Sequence, residues 1–163
     1  MAEFDWVLPR IAVGGAIETA DVPQLLRAGI THIADATTRD DTAVVGPSFD
    51  VIFGDQPDDG NQDRAGNFYQ RLAVWLMYEW FGNSHGRFLF HCDAGVNRGP
   101  SAAYLALRLL GLERDQAIRL LTAARPIVAN PPRYAPAADA VATLAVATAA
   151  RAEGAAPPPA GTP

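Results

Sequence analysis

The feature that most constrains this chain is an alternation. Short runs of β-branched and aromatic residues keep giving way to longer stretches in which apolar residues recur every three or four positions. "WVLPRIAVGG" (6–15) reads as two strand pieces broken by Pro9 and closed by glycines. "ITHIADA" (30–36), "FDVIF" (49–53) and "RFLFH" (87–91) read as further strands. Between them, Val22, Leu25 and Leu26 form a helical stripe opened by Thr19 or Asp21 and closed by Gly29. Phe68, Leu72, Trp75, Leu76 and Trp80 form a longer stripe stopped by Gly82, and its tryptophans are expected to be core anchors. "PSAAYLALRLLG" (100–111), "RDQAIRLLTAA" (114–124) and "PAADAVATLAVATAARA" (136–152) give three more helices. This order predicts an α/β domain with a central, mostly parallel, twisted sheet of about four to five strands flanked by helices.

At 163 residues the chain is long enough for one domain with a real core. Residues 1–150 are expected to form that single domain, and 151–163 a disordered Ala/Pro-rich tail with nothing to bury. The net charge of -5 argues against binding nucleic acid by bulk charge and against an anionic membrane surface. No apolar run approaches the ~20 residues of a membrane span, so no membrane partner is expected. The start, "MAEFDWVLPRIAVGG", lacks the apolar core of a signal peptide. A single cysteine cannot form an intrachain disulfide, which fits a reducing compartment and a cytoplasmic location. No feature speaks to the oligomeric state. The three histidines, at 32, 85 and 91, lack metal-ligand spacing, so neither a metal nor another cofactor is expected.

A lone cysteine reads first as core filler. Cys92, however, lies in "FHCDAGVNRGPSAA" (90–103), at the carboxyl end of a predicted strand and just before a helix. Ligands of parallel α/β sheets sit at that edge. Asp93, Ala94, Gly95, Val96 and Asn97 form a tight turn whose amides can face one anion, and the following helix adds its positive end. Gly95 allows the left-handed backbone such a turn requires, and Arg98 supplies a planar fork for two phosphate oxygens. All of these favour the thiolate of Cys92. His91 is a poor base for it, because neighbours at a strand end point to opposite sides; hydrogen bonds that fix the loop are its expected role.

"HCDAGVNR" resembles the His-Cys-x5-Arg phosphate loop of the protein tyrosine and dual-specificity phosphatase superfamily. "RIAVGGAIETADVPQLLRAGITHIADA" (10–36) is similar to the entry segment of the dual-specificity members, and "AIRLLTAARPIVANPPRY" (117–134) to their helix, Arg-Pro and Asn-containing turn. The resemblance covers residues 5 to 146. It implies a phosphomonoester hydrolase in which Cys92 attacks phosphorus, forming a phosphocysteine, and Arg98 holds the equatorial oxygens. The substrate would be a phosphorylated protein, on tyrosine and also serine or threonine, or a small phosphomonoester. Nucleotide or RNA 5'-phosphates and phosphoinositides remain open, as does a phospho-binding protein with slow or no turnover. A sulfurtransferase or oxyanion reductase is a further reading; the reductase usually needs resolving cysteines, and the chain has none.

The resemblance also requires a carboxylic acid on a separate loop. Asp55 follows the strand-like "VIFG" directly and is the expected acid; Asp58 and Asp59 precede Gly60, read as turn residues, and are the alternatives. One position departs from the pattern. A hydroxyl normally follows the loop arginine, but here Gly99 and Pro100 do, and Ser101 comes two places late. Breakdown of a phosphocysteine is therefore expected to be slow unless Ser101 takes over.

Overall fold

The computed structural model describes residues 1–154. Strands β1 (Phe4–Leu8), β2 (Ile11–Gly14), β3 (His32–Asp35), β4 (Asp50–Phe53) and β5 (Phe88–His91) make one five-stranded sheet in the order β1-β2-β5-β3-β4. Only the β1–β2 pair is antiparallel, as the Pro9–Arg10 turn between them dictates; β2, β5, β3 and β4 run parallel. β5 lies at the centre, and its last residue, His91, stands level with Gly14 of β2 and Asp35 of β3.

Both faces are covered by helices, so the central strands are buried throughout. Helices α3 (Gln62–Gly82), α4 (Arg98–Leu109), α5 (Arg114–Ala124) and α6 (Ala135–Gly154) cover the face built on Ile11, Val13, Ala34, Phe88 and Phe90. The opposite face, with Ala12, Ile33 and Leu89, lies under the short helices α1 (Val22–Arg27) and α2 (Thr42–Val45). Strand alternation then assigns the two residues at the edge. Cys92 joins the larger core, and His91 turns to the other face.

Two expectations change. Trp75 and Trp80 are half-buried at the margin of the core. Trp75 meets His32 and Phe88 edge-on, and Trp80 lies 3.8 Å under the Arg10 guanidinium. Indole is large and carries an N–H that needs a partner, so a rim with an overlying cation suits it better than the centre. The last helix, α6, continues through Arg151 to Gly154, four residues into the segment expected to be a tail. Residues 155–163 of the predicted tail lie outside the described residues. No helix among the described residues is long and apolar enough to cross a membrane.

Candidate active site

The segment from Cys92 to Arg98 leaves β5, turns at Gly95 (φ +66°) and enters α4. Its carbonyls are taken one after another by the surrounding protein. Ala16 N–H donates to Asp93 O (3.0 Å), and Ala129 N–H to Val96 O (3.0 Å). Arg125 donates from Nε to Gly95 O (3.0 Å) and from Nη2 to Ala94 O (3.4 Å). With four consecutive carbonyls held outward, the peptide planes have no choice but to aim their amides the other way. No backbone carbonyl among the described residues accepts from the amides of Asp93 to Asn97. That ring of N–H groups, at the start of α4, forms a concavity with the geometry to seat an anion. Cys92 sits at its base, 2% exposed, with its own N–H on Gly14 O at 3.3 Å.

The cradle is tight. A Cβ on Gly95 would come within 2.8 Å of Arg125 Nη2 and 2.9 Å of the Gly14 carbonyl carbon, so its glycine is required by space as well as by backbone angle. Arg125 is 6% exposed and reaches on to Asp5 Oδ2 at 2.7 Å, which ties the loop to β1. Gly14 and Arg125 thus shape the loop from outside it, as does Gly15, where a Cβ would stand 3.2 Å from Asp93 O, although none lies in the Cys-x5-Arg stretch. The sequence did carry traces of them, the Gly-Gly that ends a strand and the Arg-Pro after a helix.

Arg98 closes the loop. Its Nη1 donates to Gln56 O (2.9 Å), its Nη2 pairs with the carboxylate of Asp93, and its Nε has no protein partner. The Gln56 contact brings the loop after β4 against the anion seat. Within that loop the three candidate acids differ. Asp58 reaches the seat: Asn97 Nδ2 donates to its Oδ2 at 3.4 Å, while the Tyr134 hydroxyl (3.0 Å) and Arg133 Nη1 (3.1 Å) donate to its Oδ1. Burial raises the Tyr134 pKa, as does its bond to Asp58, and together they outweigh the opposing pull of Gly60 N–H. The phenol therefore stays a donor over the working pH range. Asp59 accepts from Asn61 N–H (2.9 Å) and pairs with Arg64 (3.0 Å), the behaviour of a turn residue before a helix. Asp55 is exposed, has φ +47°, and makes no hydrogen bond or ion pair among the described side chains.

His91 lies behind the seat. It is fully buried, with Nε2 3.6 Å from Asp35 Oδ1 and 3.7 Å from Asp41 Oδ2. Burial pushes its pKa down, against the pull of the Asp35, Asp41 and Asp93 charges. Spacing along the sequence could not reveal this His/Asp/Asp group, which the parallel β3–β5 register and the 36–41 loop assemble. Asp35 is already saturated, accepting from Thr37 N–H, the Thr37 hydroxyl and Asp41 N–H, and Asp41 Oδ1 accepts from Arg39. Neither ring nitrogen of His91 has a hydrogen-bond partner among the described residues, nor has Asp41 Oδ2, so the loop-fixing hydrogen bonds expected of His91 are not formed and its ring meets the two carboxylates only at 3.6 and 3.7 Å.

The displaced hydroxyl has a definite place. Ser101 is fully buried, and its Oγ accepts from Tyr134 N–H at 3.1 Å, pinning the turn that carries Arg133 and Tyr134; no hydrogen bond among the described residues joins it to Cys92. A Cβ on Gly99 would stand 2.9 Å from His91 C and 3.0 Å from His91 Cα. The first turn of α4 packs directly on the strand end, and only glycine fits there.

No known protein-family profile matches the sequence. Solved structures do. Human DUSP28 superposes with a TM-score of 0.69 at 19% identity, over 86% of this chain and 93% of that one. DUSP15 gives 0.70 at 19% identity, over 85% and 86%. The human tyrosine phosphatase-like serine/threonine/tyrosine-interacting protein gives 0.62 at 16% identity, over 88% and 97%. The five-stranded sheet, its helical flanks and the strand–loop–helix at its central edge are the fold of the dual-specificity phosphatases.

Proposed function

We propose that this chain hydrolyses phosphomonoesters, with phosphotyrosine in proteins as the leading substrate and phosphoserine or phosphothreonine as further ones. The observation that carries the reading is the loop from Asp93 to Asn97, whose carbonyls are held outward and whose amides stay free between Cys92 and Arg98. Cys92 attacks phosphorus, the ester oxygen leaves with a proton, and the amides and Arg98 stabilise the equatorial oxygens. Water then releases phosphate from the phosphocysteine.

The proton comes from the loop after β4. What supports Asp58 as its source is the Asn97 contact and the Arg98–Gln56 bond two residues before it; Asp55 keeps only its place directly after the strand. A phospho-binding protein with little turnover is the second reading, supported by the lack of any hydroxyl at 99 and the commitment of Ser101 to Tyr134.

An aryl phosphate tests both. Wild type should hydrolyse it, and Cys92→Ser should bind vanadate while releasing no phenol. Retained turnover in Cys92→Ser overturns the phosphocysteine route. A single stoichiometric burst followed by no turnover would favour the binding protein.

A further inference from the structure

Asp93 is the only acidic residue within the loop, and it points back onto the loop's own arginine. Its carboxylate pairs with Arg98 Nη2, although its side chain is 63% exposed while that of Arg98 is 9% exposed. Nε and Nη2 make one edge of a guanidinium, the edge that grips two oxygens of a phosphoryl group side by side. Nε has no protein partner, and Nη2 has Asp93. Asp93 therefore lies where an incoming phosphoryl oxygen would bind, and a carboxylate beside a dianion is repelled wherever it moves.

Three other charged pairs around the loop are self-contained. Asp58 pairs with Arg133, Asp59 with Arg64 and Arg39 with Asp41. Asp55, on the same loop as Gln56, is exposed and without an ion pair among the described residues. When a phosphoryl group claims Arg98, Asp93 loses its ion-pair partner and the mouth is left with an unmatched carboxylate beside the phosphate.

We propose that Asp93 sets the charge preference of this site. It holds Arg98 until a phosphoryl group displaces it, and its freed carboxylate then accepts a cationic group next to the phosphate. The substrate class is a phosphomonoester flanked by a basic group, such as a phosphopeptide with lysine or arginine beside the phosphorylated residue. Compounds with a second phosphate close by are disfavoured. The inference rests on the phosphoryl-binding role proposed for the loop.

The test compares wild type, Asp93→Asn and Asp115→Asn; the last removes the same charge from the exposed start of α5, about 15 Å along that helix from Arg125. Inorganic phosphate binding is measured by calorimetry, and kcat/KM for two phosphotyrosine peptides, one flanked by lysines and one by glutamates. Asp93→Asn should bind phosphate on the order of fivefold more tightly, the size of one partly exposed ion pair. It should also lose most of the wild-type preference for the lysine peptide, whereas Asp115→Asn should retain it. Equal phosphate affinity in wild type and Asp93→Asn, or an unchanged peptide ratio, overturns the charge role while leaving the phosphatase reading intact. Phosphate binding by neither protein overturns both.

Discussion

Replacing Arg125 should damage the site from outside it. The side chain is buried and spans three partners, Gly95 O, Ala94 O and Asp5. Methionine would keep most of the apolar stem and remove every donor. Gly95 is buried, so losing its Arg125 bond strands a carbonyl at about 1–3 kcal/mol. Ala94 is exposed and its bond is the longest of the three, so water can replace the arginine there at little cost. The Asp5 side chain is 43% exposed, and screening limits that pair to under about 1 kcal/mol. The sum is about 1–4 kcal/mol, or roughly 2–16 °C in Tm for a domain of this length. The functional effect should exceed the stability effect in kind. With Gly95 O released, that peptide can rotate and withdraw an amide from the anion seat, so vanadate affinity and kcat/KM should both fall about tenfold or more at temperatures where the protein is fully folded. Arg125→Lys, which can reach one carbonyl, should lie between. Thermal unfolding and vanadate titration on the same samples check this. Wild-type vanadate affinity in a folded Arg125→Met protein would refute the claim that Arg125 shapes the loop.

Further outcomes follow from the same contacts. Asp58→Asn should depress turnover of tyrosyl and alkyl phosphates far more than of esters with good leaving groups and should remove the alkaline limb of the pH–rate profile, whereas Asp55→Asn should change little; the reverse pattern moves the acid to Asp55. Gly99→Ser should lower Tm and fail to accelerate phosphocysteine breakdown, because its Cβ collides with the backbone of His91; a faster second phase in rapid mixing would show that the helix can shift to admit it. Burial holds the folded-state pKa of His91 below the unfolded value, so the unfolded chain binds the extra proton first. The stability His91 contributes is therefore complete above about pH 6.5 and declines as the pH falls below it, and His91→Gln should flatten that part of the Tm–pH curve.

Most of the fold was legible because two periods carry it. Every strand predicted from β-branched and aromatic runs formed within a residue or two, and the helices kept their stripes. What stayed hidden depends on register and on side chains meeting across the sheet. Nothing in "HIAD" or "RDD" announces that Asp35 and Asp41 will face His91; the parallel pairing of β3 with β5 does that. Arg125 was visible as part of an Arg-Pro turn, but its hold on Gly95 needs α5 to end beside the loop. The choice among Asp55, Asp58 and Asp59 turned on the strand they follow, whereas their contacts are decided by Asn97 and Tyr134, which come 39 and 76 residues after Asp58. The tryptophans had the right spacing for a core face, and only the rim position shows why their polar edges mattered.

Gly99 and Ser101 make one structural statement together. A hydroxyl after the loop arginine requires a Cβ, and here the backbone of His91 and Cys92 occupies that volume. The close approach lets α4 start directly on the strand end and lets the next buried hydroxyl, two residues on, face the other way and bind Tyr134 N–H. That bond fixes the turn from which Tyr134 and Arg133 hold Asp58. The departure from the phosphatase loop pattern is thus not one that Ser101 repairs by a hydrogen bond to Cys92. The Ser101 hydrogen bond goes to the turn that holds the loop of Asp58, so in the proposed reaction the hydroxyl would serve the proton donor and not the Cys92 sulfur. Ser101→Ala tests this reading: it should slow the first, proton-dependent phase on poor leaving groups and leave the second phase alone. If it slows phosphocysteine breakdown instead, Ser101 serves the sulfur and the bracing argument fails.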